Sequence, residues 1–71
     1  MPRQHTRIAD AIVKQIRAGE LRPGKPLPAI RAIAEDHHVS RGPVSRALRD
    51  LERAGMVQRV PGYPYYVTER M

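Results

Sequence analysis

Apolar residues fall into three helical runs along this chain, followed by a short stretch with a different period. Ile8, Ala11, Ile12 and Ile16 stand three and four positions apart, the spacing that lines one face of a helix. The pattern predicts a first helix near residues 6–18, with Thr6 as its candidate cap and Gly19 as its stop. Ile30, Ile33 and Ala34 repeat the spacing and predict a second helix over Ala29–His37. Between the two lies "RPGKPLP", with three prolines and a glycine in seven positions, which reads as a rigid connector. Val44, Ala47, Leu48 and Leu51 then predict a third helix over Arg41–Ala54, closed by Gly55.

The third helix carries the most information. At about 100° per residue its apolar quartet gathers on one face, while Gly42, Arg46, Arg49 and Arg53 lie almost opposite. Arg41 and Ser45 sit on a flank. The break before it, "HHVS", turns Val39 inward and puts Ser40 where a hydroxyl caps a helix start. Gly42 and Pro43 are poor helix residues, yet Pro43 falls in the first turn, where a missing N–H has no intrahelical partner to lose. After Gly55 the period changes. "MVQRV" and "YYVT" read as strands joined by the turn "PGYP", in which the neighbours Tyr65 and Tyr66 face opposite sides.

Two helices joined by a tight turn, the second basic on its outer face, followed by a hairpin, describe a winged helix-turn-helix. The fold class is mainly α with a small β-hairpin, and residues 1–71 are expected to form a single domain. A chain of 71 residues without Phe or Trp must build its core from Ile, Leu, Val and Ala. It leaves no room for an enclosed substrate pocket of several hundred cubic ångströms.

Charge sharpens the picture. Thirteen Lys and Arg against seven Asp and Glu give a formal net charge of +6, and only Lys14 and Lys25 of the thirteen are lysines. Solubility is served as well by lysine, whereas the planar guanidinium fork suits phosphates and guanine edges. Arg41 and Arg46 are the candidates for guanine readout. Arg49, deeper along the helix, is the candidate for phosphate contact, and Arg53 is divided between that role and a solvated face with carboxylate neighbours. Gly42 at the helix entrance removes bulk and permits close approach of the backbone to DNA; the alternative is that Gly-Pro merely fixes a tight turn. Tyr63 at the wing tip lies along the sugar-phosphate backbone, with Arg59 nearby, or packs on Pro61 or Pro64.

Other chemistries find little support. With no cysteine there is no disulfide, thiolate site or thiol nucleophile. His5, His37 and His38 lack the partners that complete a metal shell, and the adjacent pair reads instead as filler of the helix-turn-helix break or as a phosphate contact. No phosphate-binding loop, hydrolase elbow or zinc-protease motif occurs, so neither an enzyme nor a cofactor is expected. The start, "MPRQHTR", has no apolar segment of a signal peptide, and no run approaches membrane-spanning length. The expectation is a soluble, cytoplasmic chain with no membrane partner.

The segment "LPAIRAIAEDHHVSRGPVSRALRDLERAGMVQRVPGYPYYV" resembles the DNA-binding domain of the GntR family of bacterial repressors. That family's pattern runs L-P-S-x-R-x-L-A, V-S-R-x-T-V-R-x-A-L, L-x-x-x-G and a wing of G-x-G-x-F-V. Upstream, "AIVKQIRAGELRPGKPLP" resembles its first helix and connector, so the likeness extends from about Ile8 to Val67. The resemblance implies that Arg31 meets the DNA backbone, that Ser40 and Arg41 contact phosphate and bases, that Gly62 approaches the minor groove, and that Tyr66, in place of the wing's Phe, packs in the core with Tyr65 facing the other way. Four departures stand out: Ala29 replaces a serine, Gly42 and Pro43 replace hydroxyl residues, Ser45 and Arg46 displace the base-reading arginine by one place, and Pro64 replaces the second wing glycine.

The function expected is sequence-specific binding of double-stranded DNA as a transcriptional regulator, with a recognition helix at about 41–54 in the major groove and a wing at about 61–64 at the minor groove. The alternative is a winged-helix interaction module whose basic face meets an acidic protein. The family resembled usually carries a larger C-terminal domain for effector and dimer. This chain, ending four residues after Val67, is therefore expected to bind no small-molecule effector and to be a monomer or weak dimer, with two copies gathering on a palindromic site.

Overall fold

The computed structural model describes residues 3–62 and 64–69. Its elements are α1 (Gln4–Arg17), α2 (Ile30–His37), α3 (Arg41–Arg53), β1 (Val57–Arg59) and β2 (Tyr65–Val67). The three helices and the hairpin expected from periodicity are present in order, with ends shifted by one or two residues. Helices α1 and α2 both pack on α3, and β1 packs against its far end. The α3 quartet is therefore the centre of the molecule. Val44, Ala47 and Leu48 have no exposed surface at all, and Ile8, Ile12, Leu27, Ile33, Val57, Tyr65 and Val67 close around them.

Each helix ends in the same way. After α3, the Gly55 N–H donates to the Glu52 carbonyl and the Met56 N–H to that of Leu51, the pair of bonds that defines a Schellman ending with a left-handed residue after the cap. Gly19 fills that left-handed place after α1 and Gly55 after α3, whereas His38, at φ 57°, fills it after α2. The helix-turn-helix break is thus a helix ending with an imidazole residue in the position glycine normally takes. Val39 then turns back onto the core, as its apolar character requires.

The helix beginnings differ from expectation. Thr6 is not a cap, because α1 begins two residues earlier, with Arg3 at the capping position. Ser40 does occupy the capping position of α3, but its hydroxyl makes no capping bond. Such a bond needs the N–H of the second or third helical residue, and the third is Pro43, which has none. The same proline that fits the first turn removes the usual partner of the serine before it.

The hairpin pairs Val57 with Val67, Gln58 with Tyr66 and Arg59 with Tyr65 in antiparallel register. This corrects the expected orientation of the tyrosines. Because Val57 and Val67 are both buried partners, the two-residue period of a strand puts Tyr65, not Tyr66, on the inner face. Tyr65 is 7% exposed and joins the core, while Tyr66 is half-buried on the outer face. The proline-rich connector lies along the other edge of β2. Leu27 and Gly24 donate to the carbonyls of Tyr65 and Val67, and the Val67 N–H donates to Lys25. The connector's prolines need no donor in this ladder, which is how a proline-containing segment can serve as a sheet edge.

Candidate nucleic-acid interface

With Val44, Ala47, Leu48 and Leu51 turned inward, helical geometry leaves Gly42, Arg46, Arg49 and Arg53 pointing to solvent, and all four are exposed. Arg41 is exposed at the helix entrance, and Ser45 is half-buried on the side facing α2 and the hairpin. The basic face is held in place by three neighbours at once: α1, α2 and β1.

The arginines differ in their surroundings. Arg53 stands 3.9 Å from Asp50, whose other oxygen is 4.0 Å from His5 Nε2 on α1. Arg31 on α2 stands 3.6 Å from Glu35 one turn later, both side chains being more than two thirds exposed. Exposed pairs of this kind contribute about 0.3–0.5 kcal/mol, so Arg31 can exchange its partner at little loss. Among the described residues Arg41, Arg46, Arg49 and Arg59 have no ion pair. Their charge is offered to solvent.

A surface cleft of about 780 Å³ separates the start of α2, the side of α3 and the hairpin. Ala29, Ile30, Ser45, Arg49, Arg59 and Pro64 are among the residues that line it. Two guanidinium groups thus flank a floor that is otherwise small or apolar. The helices α2 and α3 both begin beside this face with no side-chain cap and no acidic residue in the first turn. Uncapped N–H groups and the positive end of the helix dipole add to the arginines' attraction for anions. Arg59 was named in the sequence only as a neighbour of Tyr63. The signal that places it was present, since strand alternation puts it on the same side as Val57, just past the end of the core.

The remaining residues singled out in the sequence fall as follows. Gly62 lies in the hairpin turn at φ 81°, a conformation that favours glycine. Tyr63 lies outside the described residues. Gly42 has ordinary helical backbone, and a Cβ built on it would meet nothing within 4 Å beyond its chain neighbours. Its lack of a side chain therefore meets no packing demand from beyond its chain neighbours. His37 and His38 close α2 far from the His5–Asp50 contact in sequence, and among the described residues no three His, Cys, Asp or Glu gather where they could hold a metal ion. No described helix is long and apolar enough to cross a membrane.

Comparison with known proteins places this geometry. A family model described as "Bacterial regulatory proteins, gntR family" matches residues 4–67. The mannosyl-D-glycerate transport/metabolism system repressor MngR of Escherichia coli is 40% identical over 65 residues, which are 92% of this chain and 27% of that protein. The repressor YtrA of Bacillus subtilis is 32% identical over 72 residues, 96% of this chain and 55% of its own length. The chain thus spans between about a quarter and about half of these relatives. Among solved structures, a GntR family transcriptional regulator from Listeria monocytogenes superposes with a TM-score of 0.93 at 26% identity, over 97% of this chain and 60% of the other. The DNA-binding domain of AraR, solved in complex with operator ORX1, superposes with a TM-score of 0.91 at 24% identity, over 96% of this chain and 82% of the other.

Proposed function

Since this chain belongs to the gntR family of bacterial regulatory proteins, we propose that it binds double-stranded DNA in a sequence-specific manner as part of transcriptional regulation. In this reading α3 enters the major groove and the hairpin turn meets the adjacent minor groove. The observation that carries it is the outward face of α3, where exposed arginines without ion-pair partners surround an entrance free of side chain at Gly42. The fold shared with the operator-bound domain of AraR supports the same docking.

The first turns of a recognition helix reach base edges, and the later turns face the groove wall. Arg41 and Arg46 accordingly read guanine through paired bonds to O6 and N7. Arg49, with Arg59 of the hairpin lining the same cleft, grips phosphate, and Ser45 adds a hydroxyl to that lining. Arg31 leaves Glu35 for the backbone of the duplex. Ser40, whose hydroxyl is not engaged in capping, is available to a phosphate oxygen. Gly62 approaches the minor groove, with Tyr63 a contact to the sugar-phosphate backbone. Two copies gather on a palindromic site because each bound copy raises the local concentration of the next.

Selection of bound duplexes from a random pool tests the reading. A defined sequence should emerge, and its affinity should fall steeply with salt, by about 0.9 on a log–log slope per phosphate neutralised. Arg46→Ala should relax the preference at one position by about 1–3 kcal/mol, whereas Arg31→Ala should weaken all sequences alike. A pool that yields no preferred sequence, together with binding to an acidic polypeptide as tight as to duplex DNA, would establish the interaction-module alternative instead.

A further inference from the structure

The cleft of about 780 Å³ between α2, α3 and the hairpin has a lining that phosphate alone does not explain. A phosphate group needs only the guanidinium groups of Arg49 and Arg59. Most of the remaining wall is hydrocarbon, supplied by Pro26, Pro28, Ile30 and Pro64 with Leu27 and Tyr65 behind them. That wall is fixed: the Leu27 N–H donates to the Tyr65 carbonyl at 2.8 Å, Pro26 bridges to Tyr66, and Leu27 and Tyr65 are both buried. The space falls within the range of small-molecule sites, about 300–1,000 Å³. Among the described residues no carboxylate lines it, and neither Arg49 nor Arg59 has an ion pair.

Three departures from the gntR pattern meet in this cleft. Ala29 stands where the pattern has serine, Ser45 where it has arginine, and Pro64 where it has glycine. The first exchanges a hydroxyl for hydrogen, the second replaces a long side chain with a short one, and the third adds a hydrocarbon ring. A phosphate surface gains nothing from these changes, since hydroxyl and guanidinium groups are what bind phosphate. An apolar ligand body gains room at Ser45 and contact area at Ala29 and Pro64.

We propose that the cleft is a small-molecule site for a carboxylate with a flat apolar body, and that its occupant competes with DNA. The carboxylate pairs with Arg49 and Arg59, whose planar forks fit it. The body lies against the prolines and Ile30, in the space cleared at Ser45. The expectation of a chain without an effector supposed that an effector needs a second domain, whereas this cleft is built from the DNA-binding elements alone. Competition rests on the DNA-binding reading above, because the same two arginines hold phosphate there. Ligand binding itself does not rest on it.

The probe is 2-naphthoate, with acetate as the charged head alone and 2-naphthamide as the uncharged body. In amide NMR titrations without DNA, naphthoate should shift the signals of Ala29, Ile30 and Ser45 with a Kd of about 1 mM or tighter. Acetate and naphthamide should each bind at least about tenfold more weakly. Arg49→Ala and Arg59→Ala should each weaken naphthoate about tenfold, the low end for a hydrogen bond to a charged group, since both side chains are exposed. Arg53→Ala removes the same charge from the same helix outside the lining and should bind nearly as the wild type does. Ser45→Arg adds positive charge yet refills the cleft, and should abolish the shifts. Thermal melts check that the variants remain folded. Naphthoate should then release the duplex obtained by selection, and acetate at equal ionic strength should not. Equal affinity for acetate or naphthamide overturns the site, as does unchanged naphthoate binding by Ser45→Arg. Binding at the cleft that leaves duplex affinity untouched overturns the competition. If naphthoate fills the cleft but no duplex binds, the DNA-binding reading fails and the site stands.

Discussion

Gly42 is the position where folding and binding should pull in opposite directions. The other four glycines all hold positive φ, between 78° and 81°, so their backbone accounts for them. Gly42 is the second residue of α3 with ordinary helical geometry and open space where a Cβ would point. One internal demand is left, because Pro43 follows it. A proline crowds the N–H and Cβ of a preceding residue held in the helical region, and glycine relieves the Cβ part. Gly42→Ala alone therefore combines two opposing terms: a gain of about 0.5–1 kcal/mol from helix propensity and a loss of similar size from the clash with Pro43. In the Pro43→Ala background only the gain remains. For a domain of this size that gain raises Tm by about 2–8 °C. Binding should respond oppositely. A methyl group at the entrance holds the helix off the duplex and costs about as much as one mismatched base pair, about 1–3 kcal/mol or about 5- to 150-fold in Kd. Thermal melts and duplex titrations of the four combinations at positions 42 and 43 measure both quantities. If alanine at 42 leaves duplex affinity unchanged in both backgrounds, the glycine exists only to accommodate Pro43 and the close-approach reasoning is wrong.

Two further predictions concern the cleft and the hairpin. Ala29 stands at the capping position of α2 without a side-chain acceptor, so Ala29→Ser and Ala29→Asp should each stabilise the fold by about 1 kcal/mol in denaturant unfolding. Only the aspartate should weaken duplex binding, because it places a negative charge beside Arg49 and Arg59. Equal binding by the two variants would remove the cleft from the interface. Tyr65→Ala should destabilise by about 3–5 kcal/mol, the range for emptying a buried aromatic site, whereas Tyr66→Ala on the outer face should lose well under half as much; the reverse order in urea melts would invert the hairpin's inner face.

The fold was legible in the sequence where burial alone dictates the pattern. The α3 quartet occurs once in each turn or nearly so, and nothing but a core helix satisfies Val44, Ala47, Leu48 and Leu51 together. Helix ends were legible where glycine must be left-handed, at Gly19 and Gly55. Helix starts were not. Thr6 and Ser40 have the right side chains, but whether a cap forms depends on where the first turn begins and on which N–H groups exist, and Pro43 removes one of them. The tyrosines show another limit. Two adjacent aromatics both suit a strand, and only the pairing of Val57 with Val67 decides which of them faces inward. The connector's place on the edge of β2 depends on backbone bonds from Gly24, Lys25 and Leu27, which leave no trace in side-chain periodicity.

The site follows the same division. The arginines of α3 could be placed from the helical wheel because their positions follow from the residues buried behind them. The cleft could not, since it brings Ala29, Ser45, Arg49 and Arg59 together from three separate elements. All three helices begin without a side-chain cap and without an acidic residue in the first turn, although a cap contributes about 1 kcal/mol and a first-turn carboxylate about 0.3–1 kcal/mol. A chain of 71 residues whose core is mostly aliphatic, with Tyr65 its one buried aromatic among the described residues, has little stability to spare. Three omissions of this kind amount to about 3 kcal/mol or more of unused stabilisation. A carboxylate that recovered it at the start of α2 would also repel phosphate from the cleft that Arg49 and Arg59 line. The absence of acidic residues from these first turns is what a surface selected for an anionic partner would retain.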